Sequence, residues 1–127
     1  MDYPWPMAFS KADLDLIDRT EEVEIQTSLP GGAAHRTIIW AVVDRGEVLV
    51  RSYIGPDARW YREATANPDV VLHVGGRALP ARAAHAADPD SIARASAAFA
   101  RKYASDPATP RLNRAEVLPL TRRLDPA

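Results

Sequence analysis

The chain has 127 residues, and at 13.9 kDa it can bury about two thirds of the surface its unfolded form exposes, so a single domain spanning 1-127 is expected. The absence of cysteine excludes a disulfide, a thiolate nucleophile and any cysteine-held zinc or iron–sulfur centre, and no apolar run approaches the ~20 residues that cross a bilayer. With 16 basic residues against 17 acidic ones and a pI near 6.3, a nucleic-acid partner is not expected, while a modest basic excess after residue 30 leaves room for one phosphate group.

The start, Met1-Asp2-Tyr3-Pro4-Trp5-Pro6, has neither a basic n-region nor an apolar h-region, so a cytoplasmic location is expected. Tyr3, Trp5 and Phe9 among two prolines make residues 1-9 read as a packed arm. Ser10 followed by Asp13 predicts a capping box and a short helix with Leu14, Leu16 and Ile17 as its apolar face, ended by Arg19-Thr20. Glu21 to Ser28 then alternates, with Val23, Ile25 and Thr27 on one side and Glu22, Glu24 and Gln26 on the other, the pattern of a half-buried strand.

After Pro30-Gly31-Gly32, the β-branched run His35 to Asp44 and the alternating run Glu47 to Tyr53 predict a hairpin about Arg45-Gly46. Pairing Asp44 with Glu47 sets Val43/Val48, Ala41/Val50 and Ile39/Ser52 on one side, small and branched as a barrel interior requires. Val42/Leu49, Trp40/Arg51 and Ile38/Tyr53 fall on the other, so Arg36, Trp40, Arg51 and Tyr53 face outward. Gly55-Pro56-Asp57 opens a helix over Arg59 to Ala66, and Asn67-Pro68 ends it. Strands follow over Val70 to Val74 and Ala78 to Ala84, the second with Pro80 at an edge or bulge. Asp88-Pro89-Asp90 caps a helix over Ser91 to Tyr103, loose chain follows, and Glu116 to Leu124 is the last strand. The expected class is α+β, a six-stranded and mostly antiparallel split β-barrel with flanking helices.

Three stretches, His35-Arg36-Thr37-Ile38-Ile39-Trp40, Val50-Arg51-Ser52-Tyr53, and Arg59-Trp60-Tyr61-Arg62 running on to Ala66-Asn67-Pro68-Asp69-Val70-Val71-Leu72, resemble the flavin-binding split-barrel superfamily. Its members include the pyridoxamine phosphate oxidase-like and the deazaflavin-dependent nitroreductase-like proteins, and the chain looks like a bacterial branch of that group. The resemblance covers about residues 20–125 and implies a homodimer with FMN or a deazaflavin in a groove between subunits. Carried over by position, Arg36 to Trp40 would lie along the ring system, Arg51 and Ser52 near the phosphate, and Arg59 or Trp60 at the phosphate-clamping place. The chain departs from many relatives in having Trp60 and Trp40 at or beside places where they carry lysine.

Each candidate also has a structural reading. Arg51, Ser52 and Arg59 supply fixed charge, a hydroxyl and helix-start N–H groups for a phosphate, or the arginines pair with Asp57 and Glu63 on the surface. Trp40, Trp60 and Tyr53 stack on a planar ring, or form a dimer core. His35 stands where a proton donor to a bound substrate would lie, or is simply exposed. The spacings of 38 and 12 residues between His35, His73 and His85 match no metal-ligand pattern, and no phosphate-loop or nucleophile-elbow motif is present. The expected function is hydride transfer between a flavin or deazaflavin and a small organic substrate, with no catalytic side chain singled out. The alternatives are a non-catalytic barrel that binds a cofactor, haem or another planar ligand, and a dimeric interaction domain whose groove is empty.

Overall fold

The computed structural model describes residues 9–127. Of the expected arm only Phe9 falls within that range, where it is buried in the core; Tyr3 and Trp5 lie outside the described residues. Helix α1, Lys11–Arg19, starts where the Ser10 hydroxyl accepts the Asp13 N–H at 3.0 Å, and it buries Ile17 fully. Strand β1, Val23–Thr27, buries its alternate residues Val23, Ile25 and Thr27. Then come β2, His35–Ile39; β3, Ala41–Asp44; β4, Glu47–Arg51; α2, Arg59–Ala66; β5, Asp69–Val74; and β6, Arg77–His85. The long helix α3, Pro89–Lys102, is capped by the Asp88 carboxylate on the Ser91 N–H, and the short α4, Thr109–Leu112, precedes β7, Thr121–Pro126.

All seven strands form one antiparallel sheet in the order β2-β1-β5-β6-β7-β4-β3. Its first and last strands are joined by one residue, Trp40, which requires the sheet to curl back on itself, and the result is a split half-barrel with flanking helices. The strand number corrects the expected six. The turn at Arg45-Gly46 pairs Asp44 with Glu47, Val43 with Val48, Val42 with Leu49 and Ala41 with Val50 as expected. The expected partners Trp40/Arg51, Ile39/Ser52 and Ile38/Tyr53 do not form, because the first half of the run pairs with β1 instead, Val23 with Ile39 through Thr27 with His35. Two local causes lie at this corner. The Trp40 indole turns out to stack on Tyr103, with centroids 4.0 Å apart and planes 4° apart, and Ser52 leaves the ladder to close a turn with Gly55.

The last strand is also corrected. Glu116 to Leu120 is turn and 3₁₀ structure, closed by Val117 N–H to Arg114 and Leu120 N–H to Val117, and the ladder begins only at Thr121. Pro80 is on an internal strand rather than at the expected edge or bulge: it stands opposite Val71 of β5, and it lies just beyond the last β6 position paired with β7, Ala81 to Pro126, where its missing N–H removes no bond. Among the described residues no helix is long and apolar enough to cross a membrane.

Two apolar clusters result. Inside the curl, Ile25, Val48, Val50 and Leu72 meet Trp60 and Ala64 from α2, which confirms the small branched face as the interior. Outside it, Val42 and Leu49 pack against Ala95, Ala98 and Phe99 of α3, with Tyr103 and Leu112 beside them. The outward face of the hairpin is therefore covered by this chain's own helices. Arg94 fastens that contact, donating at 3.0 Å to Asp44, 2.6 Å to Glu47 and 3.0 Å to Asp90.

Candidate functional site

Where β2 and β4 diverge at the Trp40 corner, a groove of about 270 Å³ remains open. Thr37, Ile38, Ile39 and Trp40 form one wall, Arg51, Tyr53, Ile54 and Trp60 another, and Leu112 of α4 and Ala108 just before that helix close it, with Glu22 at its margin. Trp40 gives one face to Tyr103, and Trp60 meets Tyr61 edge-on at 5.8 Å and 86°. The indoles thus line the groove without filling it. Ile38, Tyr53 and Ile54 make an exposed apolar rim, with Ile54 71% exposed.

The floor carries a buried cation. Arg51, 3% exposed, donates through Nε to Thr121 Oγ1 at 2.8 Å, its partner across the β4–β7 ladder. Nη1 donates to the Leu112 carbonyl at 2.8 Å, to Ser96 Oγ at 3.1 Å and to Asn113 Oδ1 at 3.2 Å, and Nη2 to the Ile92 carbonyl at 3.1 Å. Every one of these acceptors is neutral, and the guanidinium lies 5.6 Å from the centre of the Phe99 ring. Burial pulls its pKa down to about 10, so at neutral pH it remains charged. The expected ion pairs with Asp57 or Glu63 are not made by Arg51.

A second buried ionisable group is on α2, three residues beyond the groove residue Trp60. Glu63, in the middle of α2, accepts Thr27 Oγ1 at 2.8 Å and faces His35 Nδ1 with both oxygens at 3.0 and 3.1 Å. Burial works against its charge, but the hydrogen bonds from Thr27 and His35, with the positive charges of His35 and Arg59, outweigh that cost and hold the carboxyl below the usual glutamate range. The other histidines have separate partners: His73 Nε2 meets Gln26 Oε1 at 2.7 Å, and His85 Nδ1 meets Arg122 at 2.9 Å.

Of the six residues expected at a cofactor, the groove brings together Trp40, Arg51 and Trp60. The other three stand apart from it. Arg36 lies on the outer face of β2, bonded to Glu24 at 2.6 and 3.0 Å. The Ser52 hydroxyl is engaged in the turn with Gly55, and Arg59 is exposed on the first turn of α2. Sequence reasoning missed Ala108 and Leu112, which come from a stretch read as loose chain, and it missed Glu63 as the partner of His35. The signal for Glu63 was its i, i+3 spacing from Trp60, which puts both on one face of α2.

A bacterial family described as an uncharacterized conserved protein (DUF2255) matches residues 13–124. The chain belongs to this family. The DUF2255 chain is also similar in fold to solved structures of other proteins. The haem storage protein HutZ from Vibrio cholerae aligns with a TM-score of 0.72 at 13% identity, over 95% of this chain and 92% of that one. An F420-H2 dependent reductase, FDR-A, aligns at 0.58 and 21% identity over 84% and 95%. A proposed pyridoxamine 5'-phosphate oxidase from Listeria innocua aligns at 0.62 and 13% over 91% and 90%. At these identities the likeness establishes the split-barrel fold of the DUF2255 chain. No curated protein matches its sequence.

Proposed function

We propose that this chain is a split-barrel oxidoreductase that holds FMN or a deazaflavin in the Trp40–Trp60–Arg51 groove and serves hydride transfer to or from a small organic substrate. The observation that carries the reading is Arg51, a buried guanidinium whose five hydrogen-bond partners are all neutral, set in a groove walled by two indoles. A cation withdrawn from water and left without a counter-ion favours an anion beside it. A flavin or deazaflavin fits this chemistry with its planar ring and its negative edge or phosphate. The bound group supplies the hydride chemistry itself. The chain's part is to grip the ring between Trp40 and Trp60, to fix its charged edge on Arg51, and to exclude water with Ile39, Ala108 and Leu112. The similarity in fold to an F420-H2 dependent reductase supports the same reading.

The groove at about 270 Å³ is slightly smaller than a ligand pocket's usual 300–1,000 Å³, and it opens along the apolar rim. A second copy packed on Ile38, Tyr53 and Ile54 would complete it, and a domain-swapped dimer among the similar folds supports a homodimer.

The test is to denature the purified protein, identify any released chromophore by absorbance and mass, and titrate the protein with FMN and with a reduced deazaflavin. Micromolar binding of one of them is expected, and Ala108→Trp, which fills the groove from the start of α4, should weaken it at least tenfold with the fold intact. If nothing is released and neither cofactor binds, the reading fails.

A further inference from the structure

We infer that His35, oriented by Glu63 and Thr27, is the proton-transfer group for a substrate held at the β2 end of the groove. This rests on the oxidoreductase reading for its hydride source. Three elements converge to build it: Thr27 from β1 and His35 from β2 are ladder partners, and α2 lays Glu63 across both. Glu63 is only 6% exposed, and a buried carboxylate is a costly way to fill a core position that an aliphatic side chain would pack equally well. Its position in the middle of α2 also rules out a role as a helix cap.

What the carboxylate does accomplish is to orient an imidazole. Both Glu63 oxygens lie on Nδ1, which therefore carries a proton, and Nε2 has no hydrogen-bond partner among the described residues. The His35 side chain is 36% exposed, so the free nitrogen belongs to the accessible part of the ring. A carboxylate on one ring nitrogen, with the other nitrogen open, is the arrangement that readies histidine for proton transfer. Alternation places His35, Thr37 and Ile39 on one face of β2, and Thr37 and Ile39 line the groove. Thr37 is one strand repeat, about 6.8 Å, from His35. On α2 the groove residue Trp60 precedes Glu63 by three positions, so each member of the pair stands one helical turn or one strand repeat from a residue that lines the groove.

The charges around the ring are few. Glu63 and Arg59 come from α2, β1 presents Thr27, residues 28–34 contain no titratable side chain, and Arg36 turns to the opposite face to meet Glu24. Two-electron reduction of an unsaturated acceptor consumes one hydride, drawn from the reduced flavin or deazaflavin, and one proton. His35 gives that proton from Nε2–H to the acceptor atom that does not receive hydride. The imidazolium becomes neutral imidazole, Nδ1–H stays on Glu63, and water restores the Nε2 proton. Oxidation of a substrate runs the same transfer in reverse. His35 touches the substrate, and Glu63 is a positioning residue.

Two measurements test this. The first is long-range 15N–1H NMR of the His35 ring in the cofactor-free protein, which reads the neutral tautomer. The Nδ1–H form is expected, reverting toward a mixture in Glu63→Ala, and a wild-type Nε2–H form overturns the inference. The second uses a nitroaromatic probe with reduced deazaflavin. His35→Asn should lower kcat about 10²–10⁴-fold and remove one limb of its pH profile while leaving cofactor affinity within twofold. Full activity in His35→Asn with normal cofactor binding overturns this inference alone, whereas wild-type protein that binds neither cofactor overturns the oxidoreductase reading and this inference with it.

Discussion

Lys102 shows how far a single side chain here departs from its solution behaviour. Its ammonium donates to the Ile17 carbonyl at 2.9 Å and to the Ala41 carbonyl at 2.6 Å, tying the end of α3 to α1 and to the start of β3. Burial lowers its pKa from the ordinary lysine value to about 8. The unfolded chain keeps this proton to about pH 10.4, so between pH 8 and 10 the unfolded state binds more protons than the folded one, and stability rises with pH across that window. Urea unfolding midpoints taken at pH 7.5, 8.5 and 9.5 should show the rise in wild-type protein and lose much of it in Lys102→Met. Nothing local in Arg101-Lys102-Tyr103 announces this, because the two carbonyls come from residues 85 and 61 positions earlier. Arg51 was more legible: an arginine among Val48, Leu49 and Val50 breaks an apolar strand, and the sequence alone marks it as out of place. Its cage of Ile92, Ser96, Leu112 and Asn113 was not legible, since these arrive from α3, from α4 and from the residue just after α4.

Elements whose signals are local were read correctly, and elements set by distant contacts were not. Helix α2 ends at Asn67-Pro68, α3 starts on its Asp88 cap and Pro89, and the β3–β4 turn at Arg45-Gly46 follows its positive φ angles, 52° and 76°. The break at Trp40 is different, because it depends on Tyr103 on the far side of the chain, and a β-branched run gives no hint of it. The four-residue α4 has no side-chain cap and is stabilised by packing against α3, so no pattern marks it. The contact between α3 and the β3–β4 hairpin is the element-level joint that Arg94 secures, 14% exposed and bonded to three carboxylates. Arg94→Ala should destabilise the protein by about 1.5–3 kcal/mol in chemical denaturation, the range for hydrogen bonds to charged groups, because Asp44 and Glu47 then lose their shared donor. Hydrogen exchange should show that loss first in β3 and β4.

At the scale of the whole molecule, the exposed rim sets the assembly prediction. Ile38, Tyr53 and Ile54 are large apolar side chains clustered at the mouth of the groove, 59%, 40% and 71% exposed. If a second copy covers them, light scattering after size exclusion should give a dimer mass, and Ile38→Glu with Ile54→Glu should give a monomer that still folds. A dimer that survives both charges would place the contact elsewhere. The strand order carries a different consequence. The last strand of the sequence, β7, lies between β6 and β4 and is the sole hydrogen-bonded link between a four-stranded piece, β2-β1-β5-β6, and the β4-β3 hairpin. On the ribosome both pieces are made first, and the facing edges of β6 and β4 stay unpaired until residues 121–126 emerge. From the end of β6 at His85 until Thr121 is made, a nascent chain of this topology carries these two open strand edges in one molecule, each a template for pairing with the wrong neighbour. Translation stalled before Thr121 should therefore yield a chain that recruits chaperones, and release of the final strand should end that need within the folding time of a single domain.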